Sequence, residues 1–212
     1  MSEKTLAAIK KAREGAKRNF KQSFDLSINL KNVDLKRPEN KVKTEVTLPH
    51  PVGKAANVGI FADTLIPKAK DIPGLFLIRK DQIDSYAQNK KAAKALANSC
   101  VAFVAEAPLM PQVAKVLGPF LAVRNKMPKP IPPTIPDLKP VVERSKNSVR
   151  LVLKDSPVVN CRIGLEEMKD DQVSENIEAA IAAVAAALPK GKEQIRNAYI
   201  KLTMGKPAKI EM

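Results

Sequence analysis

"SFDLSINL", residues 23–30, alternates without a break. Phe24, Leu26, Ile28 and Leu30 take one face, and Ser23, Asp25, Ser27 and Asn29 take the other. That period belongs to a strand with one side on a core and one side in water. Three other segments read differently. "NVGIF" (57–61), "LFLIR" (75–79) and "VAFVA" (101–105) are short and nearly continuously apolar. Such runs suit parallel strands buried on both faces. The contrast predicts two kinds of sheet in one chain.

Working outward, the half-buried pattern recurs near both ends. "VKTEVTL" (42–48), "VRLVLK" (149–154), "VVNCRIG" (158–164) and residues 196–204 all alternate. Amphipathic helices are predicted over 3–17 and 171–188, the second with Asp170 and Asp171 at its positive end. Between the apolar runs lie helical patterns at 81–98 and 109–117, so strand and helix alternate in the middle of the chain. Residues 128–140, "PKPIPPTIPDLKP", hold six prolines and read as an extended surface loop. The expected fold is an α+β domain formed by both termini, residues 1–54 and 147–212. An α/β domain with a Rossmann-like parallel sheet, residues 55–146, is inserted into it. The chain crosses twice between them, near 49–55 and 146–148, and two adjacent crossings make a hinge.

Charge narrows the function. Of 212 residues, 37 are Lys or Arg and 22 are Asp or Glu, a net charge of +15. Residues 1–54 carry 13 basic and 6 acidic groups, 55–146 carry 14 and 7, and 147–212 carry 10 and 9. A polyanion binder needs such an excess, because each neutralised phosphate releases counterions. Cys100 and Cys161 each fall in an apolar run and read as small core residues, with no disulfide or metal spacing. The N-terminus "MSEKTLAAIKKAREG" is too charged for a signal peptide or anchor, and no apolar run reaches transmembrane length. The expectation is a soluble, cytoplasmic protein that does not engage membranes.

Catalytic signals are sparse. His50, the single histidine, lies between Pro49 and Pro51 and reads as structural or solvated. Glu166-Glu167 and Asp170-Asp171 are explained by the helix start beside them. No G-x-G-x-x-G or G-x-x-x-x-G-K-[ST] follows any parallel strand. An α/β enzyme or binding module for a nucleotide or phosphate ligand is the alternative reading, and this lack counts against it. No cofactor and no metal are expected.

The outward faces say more. Ser23, Asp25, Lys43, Lys154, Lys201 and Thr203 make a surface of donors and acceptors with few bulky groups. It ends in Thr203-Met204-Gly205: a hydroxyl, a flexible apolar side chain and bare backbone. Such a corner lets a ribose-phosphate backbone come close. Phe20 and Tyr199 can pack on a ribose or base, and Phe20 reads equally well as a core residue.

"SFDLSINLKNVDLKRPENKVKTEVTLPH", "NKMPKP", "KPVVERSKNSV" and "YIKLTMGKP" stand in order along nearly the whole chain. On these segments the sequence resembles the L-one family of large-subunit ribosomal proteins, in its archaeal form. The resemblance implies two domains, one of them inserted. It implies a non-enzymatic protein that binds large-subunit ribosomal RNA at the mobile side stalk, near the exit-site tRNA. It also implies repression of translation through a similar fold in the protein's own messenger RNA. The implied state is ribosome-associated, and monomeric off the ribosome. The family's phenylalanine before the first strand matches Phe20, and its strand positions match Ser23 and Asp25. A basic position matches Lys154, and Thr-Met-Gly matches 203–205. Weaker contacts are implied for Arg124, Lys126 and Lys129. Two departures stand out: Lys206 precedes Pro207 where the family has Pro directly, and Ala122–Asn125 replaces Gly-Pro-Arg-Gly.

Overall fold

A computed structural model describes residues 3–15, 18–33, 42–52, 57–69, 72, 74–135, 137–153 and 156–211. The chain divides into two compact units, Met1–Gly53 with Asn147–Met212, and Lys54–Lys146.

The first unit contains α1 (Glu3–Arg13), β1 (Ser23–Leu30), β2 (Lys43–Thr47), β7 (Ser148–Val152), β8 (Val158–Leu165), α7 (Asp170–Ala187), β9 (Ile195–Leu202) and β10 (Ala208–Ile210). Four strands form an antiparallel sheet in the order β10-β9-β1-β8, and β2 and β7 pair separately. The alternation in β1 is realised fully: Phe24, Leu26 and Ile28 have no exposed surface. They pack with Ile9 of α1, Val173, Ile177 and Val184 of α7, and Ile163 and Ile200 of the neighbouring strands. Burying apolar area at about 25 cal/mol per Å² is what holds this face to the helices. The opposite face carries the polar Ser23, Asp25, Ser27 and Asn29, each half-buried. β1 and β8 shift register between Phe24 and Asp25, so Asp25 sits opposite Arg162.

The second unit contains β3 (Val58–Ala62), α2 (Ile66–Ala69), β4 (Leu75–Arg79), α3 (Lys80–Gln88), α4 (Lys90–Ser99), β5 (Ala102–Glu106), α5 (Met110–Ala122), β6 (Lys129–Ile131) and α6 (Lys139–Asn147). Its sheet is parallel, in the order β4-β3-β5-β6. Phe61, Phe103 and Ala105 pack against Ala93, Leu96 and Leu117 on one side. Val58, Ile60 and Val104 pack against Leu65, Leu138 and Val142 on the other. Phe61 and Phe103 stack at 5.8 Å, and a Cβ on Gly59 would run into the Phe103 ring.

Several expectations need correction. The helix read over 81–98 is two, because Asn89 interrupts it and its side chain accepts from Ala92 N–H at 3.1 Å, starting α4 afresh. The helix read to 117 continues through Pro119 to Ala122. Leu117 and Leu121 are both fully buried on one face, and that burial offsets the lost hydrogen bond. The proline-rich stretch is not all loop: Lys129–Ile131 forms β6, and α6 follows it. Pro130 is tolerated because β6 is an edge strand, whose outward side needs no N–H. β10 was not anticipated, and β9 ends at Leu202.

Candidate nucleic-acid interface

The start of β1 and the end of β9 meet at a tight corner. Thr203 N–H donates to Ser23 O at 3.1 Å. Ser23 N–H donates to Thr203 Oγ1 at 3.2 Å, and the two hydroxyls also lie 3.2 Å apart. The Thr203 hydroxyl reaches Ser23 O at 3.3 Å. Gly205 N–H returns to Leu202 O at 2.9 Å. Gly205 has no left-handed φ; its requirement is space, since a Cβ there would sit 3.1 Å from Leu202 Cβ.

Gln22, which the sequence reading passed over, organises this corner. It is 2 % exposed, and its Oε1 accepts from Met204 N–H at 3.1 Å. Its own N–H donates to Glu166 Oε2 at 3.2 Å, and its carbonyl accepts from Glu166 N–H at 3.0 Å. The available signal was parity: residue 22 continues the inward series 24, 26, 28 and 30. Behind it, Arg13 anchors the β8–α7 turn. Its guanidinium donates to Asp170 Oδ1 at 2.8 Å and to the carbonyls of Glu166 and Met168 at 2.6 Å each. It also lies 4.9 Å from the centre of the Phe24 ring. The planar fork meets three acceptors at once, which an ammonium point charge does not match.

Two apolar side chains project from this framework: Phe20 is 51 % exposed and Met204 60 % exposed. Phe20 lines an open recess with Arg18, Lys21 and Glu167, and Lys21 pairs with Glu167. Exposed apolar groups on a polar, basic surface suit stacking on bases or riboses.

The open sheet face continues from the corner in rows. Arg162, Asp25 and Lys201 stand side by side on β8, β1 and β9. Asn160, Ser27, Tyr199 and Lys209 form the next row. Asn29 then donates to Asn197 Oδ1 at 2.9 Å, and Asn197 donates to the Tyr199 hydroxyl at 3.3 Å. Burial raises the Asp25 carboxyl above its ordinary pKa, while Lys201 and Arg162 pull it down.

The structure thus brings together Phe20, Ser23, Asp25, Tyr199, Lys201, Thr203, Met204 and Gly205. Lys43 does not join them. It begins β2, opposite Val152 in the separate two-stranded sheet, and its side chain lies outside the description. Lys154 and hinge residues 53–55 also lie outside the described residues. In the second unit, the Lys126 ammonium donates to the carbonyls of Ala97 and Cys100, both at 2.8 Å. Arg124 donates to Asn98 Oδ1 and to Phe120 O, both at 3.0 Å. Both cations cap helix ends rather than extend into solvent. Lys129 lies half-buried in β6.

His50 serves the first unit's architecture. Asn176, fully buried, accepts from His50 N–H at 3.0 Å and donates to His50 O and Ile163 O at 3.2 and 2.8 Å. The His50 ring meets Glu175 at 2.7 Å. In the second unit the topological switch point lies between β3 and β5, where an open parallel sheet of this order takes a ligand. Glu106 fills it. Its Oε1 accepts from Asp63 N–H at 3.0 Å, Leu65 N–H at 2.8 Å and the Thr64 hydroxyl at 3.1 Å. Among the described residues no cluster could hold a metal ion, and no helix is long and apolar enough to cross a membrane.

The chain matches the ribosomal protein L1p/L10e family over residues 10–206. It is 44 % identical over 210 residues to "Large ribosomal subunit protein uL1" of Pyrococcus horikoshii, covering 99 % of this chain and 96 % of that one. The protein of the same name from Methanothermococcus thermolithotrophicus is 44 % identical, covering 99 % of this chain and 98 % of the relative. That of Thermococcus kodakarensis is 42 % identical, covering 99 % and 97 %.

Proposed function

The chain belongs to the ribosomal protein L1p/L10e family, and from that premise we propose that its Ser23–Thr203 corner grips the mobile side stalk of large-subunit ribosomal RNA, beside the exit-site tRNA. At the coarser level it is a structural, RNA-binding protein of the large ribosomal subunit, ribosome-associated and not an enzyme. The observation that carries the finer reading is the corner itself. Two strand ends are locked by their own hydroxyls, Phe20 and Met204 stand exposed beside them, and the adjoining sheet face is open, polar and basic. A preorganised surface of this kind suits ribose and phosphate oxygens, and stacking supplies the rest. Repression of the protein's own message follows if that message carries the same backbone shape. That the two units bury separate cores suits a hinge at the crossings between them. A nucleotide-dependent activity in the second unit is disfavoured, because the N–H groups that would receive a phosphate already bond Glu106.

A gel-shift with the side-stalk segment of ribosomal RNA tests this, with an unrelated RNA duplex as control and the leader of the protein's own message as competitor. Neutralising about six phosphates gives log affinity against log salt a slope of roughly −4 to −5. Equal affinity for stalk and control would overturn the reading, and a leader that fails to compete would remove the repressor role.

A further inference from the structure

The parallel sheet of the second unit ends in two edges of unlike character. At one edge, β6 is three residues long, begins with Lys129 and holds Pro130. Shortness, charge and proline each keep an edge from pairing with another chain. The other edge, β4, runs Leu75-Phe76-Leu77-Ile78-Arg79, without proline and with its one charge at the end. Phe76 is 45 % exposed. Val58 stands opposite Leu75, and its N–H donates to Gly74 O at 3.1 Å. In a parallel ladder that parity turns the backbone groups of Phe76 and Ile78 to β3, and those of Leu75, Leu77 and Arg79 outward. Arg79 N–H accordingly donates to Gln82 Oε1 at 3.1 Å rather than to a strand. Among the described residues, nothing pairs with the outward N–H and C=O of Leu75 and Leu77.

We propose that the β4 edge docks an extended acidic segment of another protein, which joins the sheet as a further strand. Such an addition answers both the free N–H and the free C=O groups, and side chains on its two faces set specificity. On one face an apolar residue of the segment covers Phe76. On the other, Leu75 and Leu77 pack against the unit's own core, while Arg79 and Lys80 are exposed for acidic residues. Charge selects the occupant. Between residues 66 and 99, seven are basic and three acidic. A second copy would bring the same positive field to its own β4, and a net charge of +15 on each chain opposes that pairing. A nucleic-acid backbone answers the N–H groups with phosphate oxygens but sets those anions against the carbonyls. This surface lies in Lys54–Lys146, whereas the Ser23–Thr203 corner belongs to the first unit, so the inference goes beyond the side-stalk reading.

The probe is a short labelled peptide alternating glutamate with isoleucine, titrated against the full-length protein by fluorescence anisotropy. It should bind saturably, and more weakly as salt rises. A peptide with lysine in place of glutamate, and one N-methylated on alternate amides, should not bind. Phe76→Glu, which removes the apolar contact and repels the probe, should weaken binding about tenfold. Leu77→Pro, which deletes an outward donor at an edge position, should weaken it about fivefold. Urea unfolding of Phe76→Glu should match wild type, because the side chain is exposed, and its stalk affinity should be unchanged. If the acidic peptide does not bind, or binds wild type and Phe76→Glu equally, the proposal is wrong. Loss of stalk affinity in Phe76→Glu would make the edge an RNA surface instead. A wild-type dimer in sedimentation velocity that Phe76→Glu dissolves would make the occupant a second copy. Either result overturns the proposal, and neither depends on whether the corner binds the stalk.

Discussion

Thr203 carries two duties through one hydroxyl. It closes the protein's own corner on Ser23, and it faces solvent where RNA is proposed to dock. Thr203→Val keeps shape and β-propensity but removes both. Because the corner is exposed, water replaces much of the lost bonding, and unfolding free energy should fall by only about 0.5–1.5 kcal/mol. Stalk affinity should fall with it, at an unchanged salt slope, since no charge is removed. Urea unfolding and gel-shift on the same preparation separate the two effects. Cys161 gives a pH signature. Burial, with a smaller contribution from Asp25, pushes its thiol from 9.0 up to about 12. Between those values the unfolded chain loses the proton and the folded chain keeps it. The stabilising contribution is therefore complete below pH 9 and is lost as pH rises, by at most about 1.4 kcal/mol per pH unit. Buried Cys100 is shifted in the same direction. Urea midpoints of wild type should decline from pH 9 upward, and Cys161→Ala should decline less steeply; parallel slopes would refute the assignment.

At the scale of elements, the ends of α4 show how loops are made rigid. Asn89 starts the helix with its side chain, and Lys126, from beyond α5, closes it by donating to Ala97 O and Cys100 O. A cation at a helix C-terminus is also favoured by the dipole. Lys126→Met should destabilise by about 1–2 kcal/mol in urea unfolding while changing stalk affinity by less than about twofold. A large loss of RNA affinity without a loss of stability would return Lys126 to the interface. Burial lowers the Lys126 ammonium below its ordinary value, with Cys100 opposing that shift. Its linkage thus has the opposite sign to that of the cysteines. The stability it governs rises with pH in the window below 10.5, where the unfolded lysine is still protonated.

At the scale of the whole molecule, the decisive feature is that the two units bury separate cores. The crossing is also short where it leaves the first unit: Thr47 pairs with Ser148, and Leu48 N–H donates to Asn147 O at 3.0 Å. A flexible linker of a few residues can therefore join Val52 to Asn147. Such a chain should unfold cooperatively and keep most of its stalk affinity, with a similar salt slope. The reason is that the corner and the open sheet lie wholly in Met1–Gly53 and Asn147–Met212. A folded chain of this kind that does not bind the stalk would move the interface into the second unit.

Strand alternation, buried runs and net charge were enough to determine the class of fold, the inserted arrangement and a polyanionic partner, because each depends on local period or on summed composition. The ribosomal family needed longer matched segments. The tertiary structure alone decided which polar residues work together. Gln22 holds Met204, Arg13 holds the β8–α7 turn, and Glu106 fills the switch point, in each case across more than 40 residues of chain. It also separated Lys43 from the corner and turned Lys126 and Arg124 inward to cap helices. Pro119 inside a helix and Pro130 inside a strand were decided there too, by burial and by an edge position. Periodicity tells which face of an element is buried, but hydrogen-bond partners are set by which elements meet, and that information resides in the packed chain.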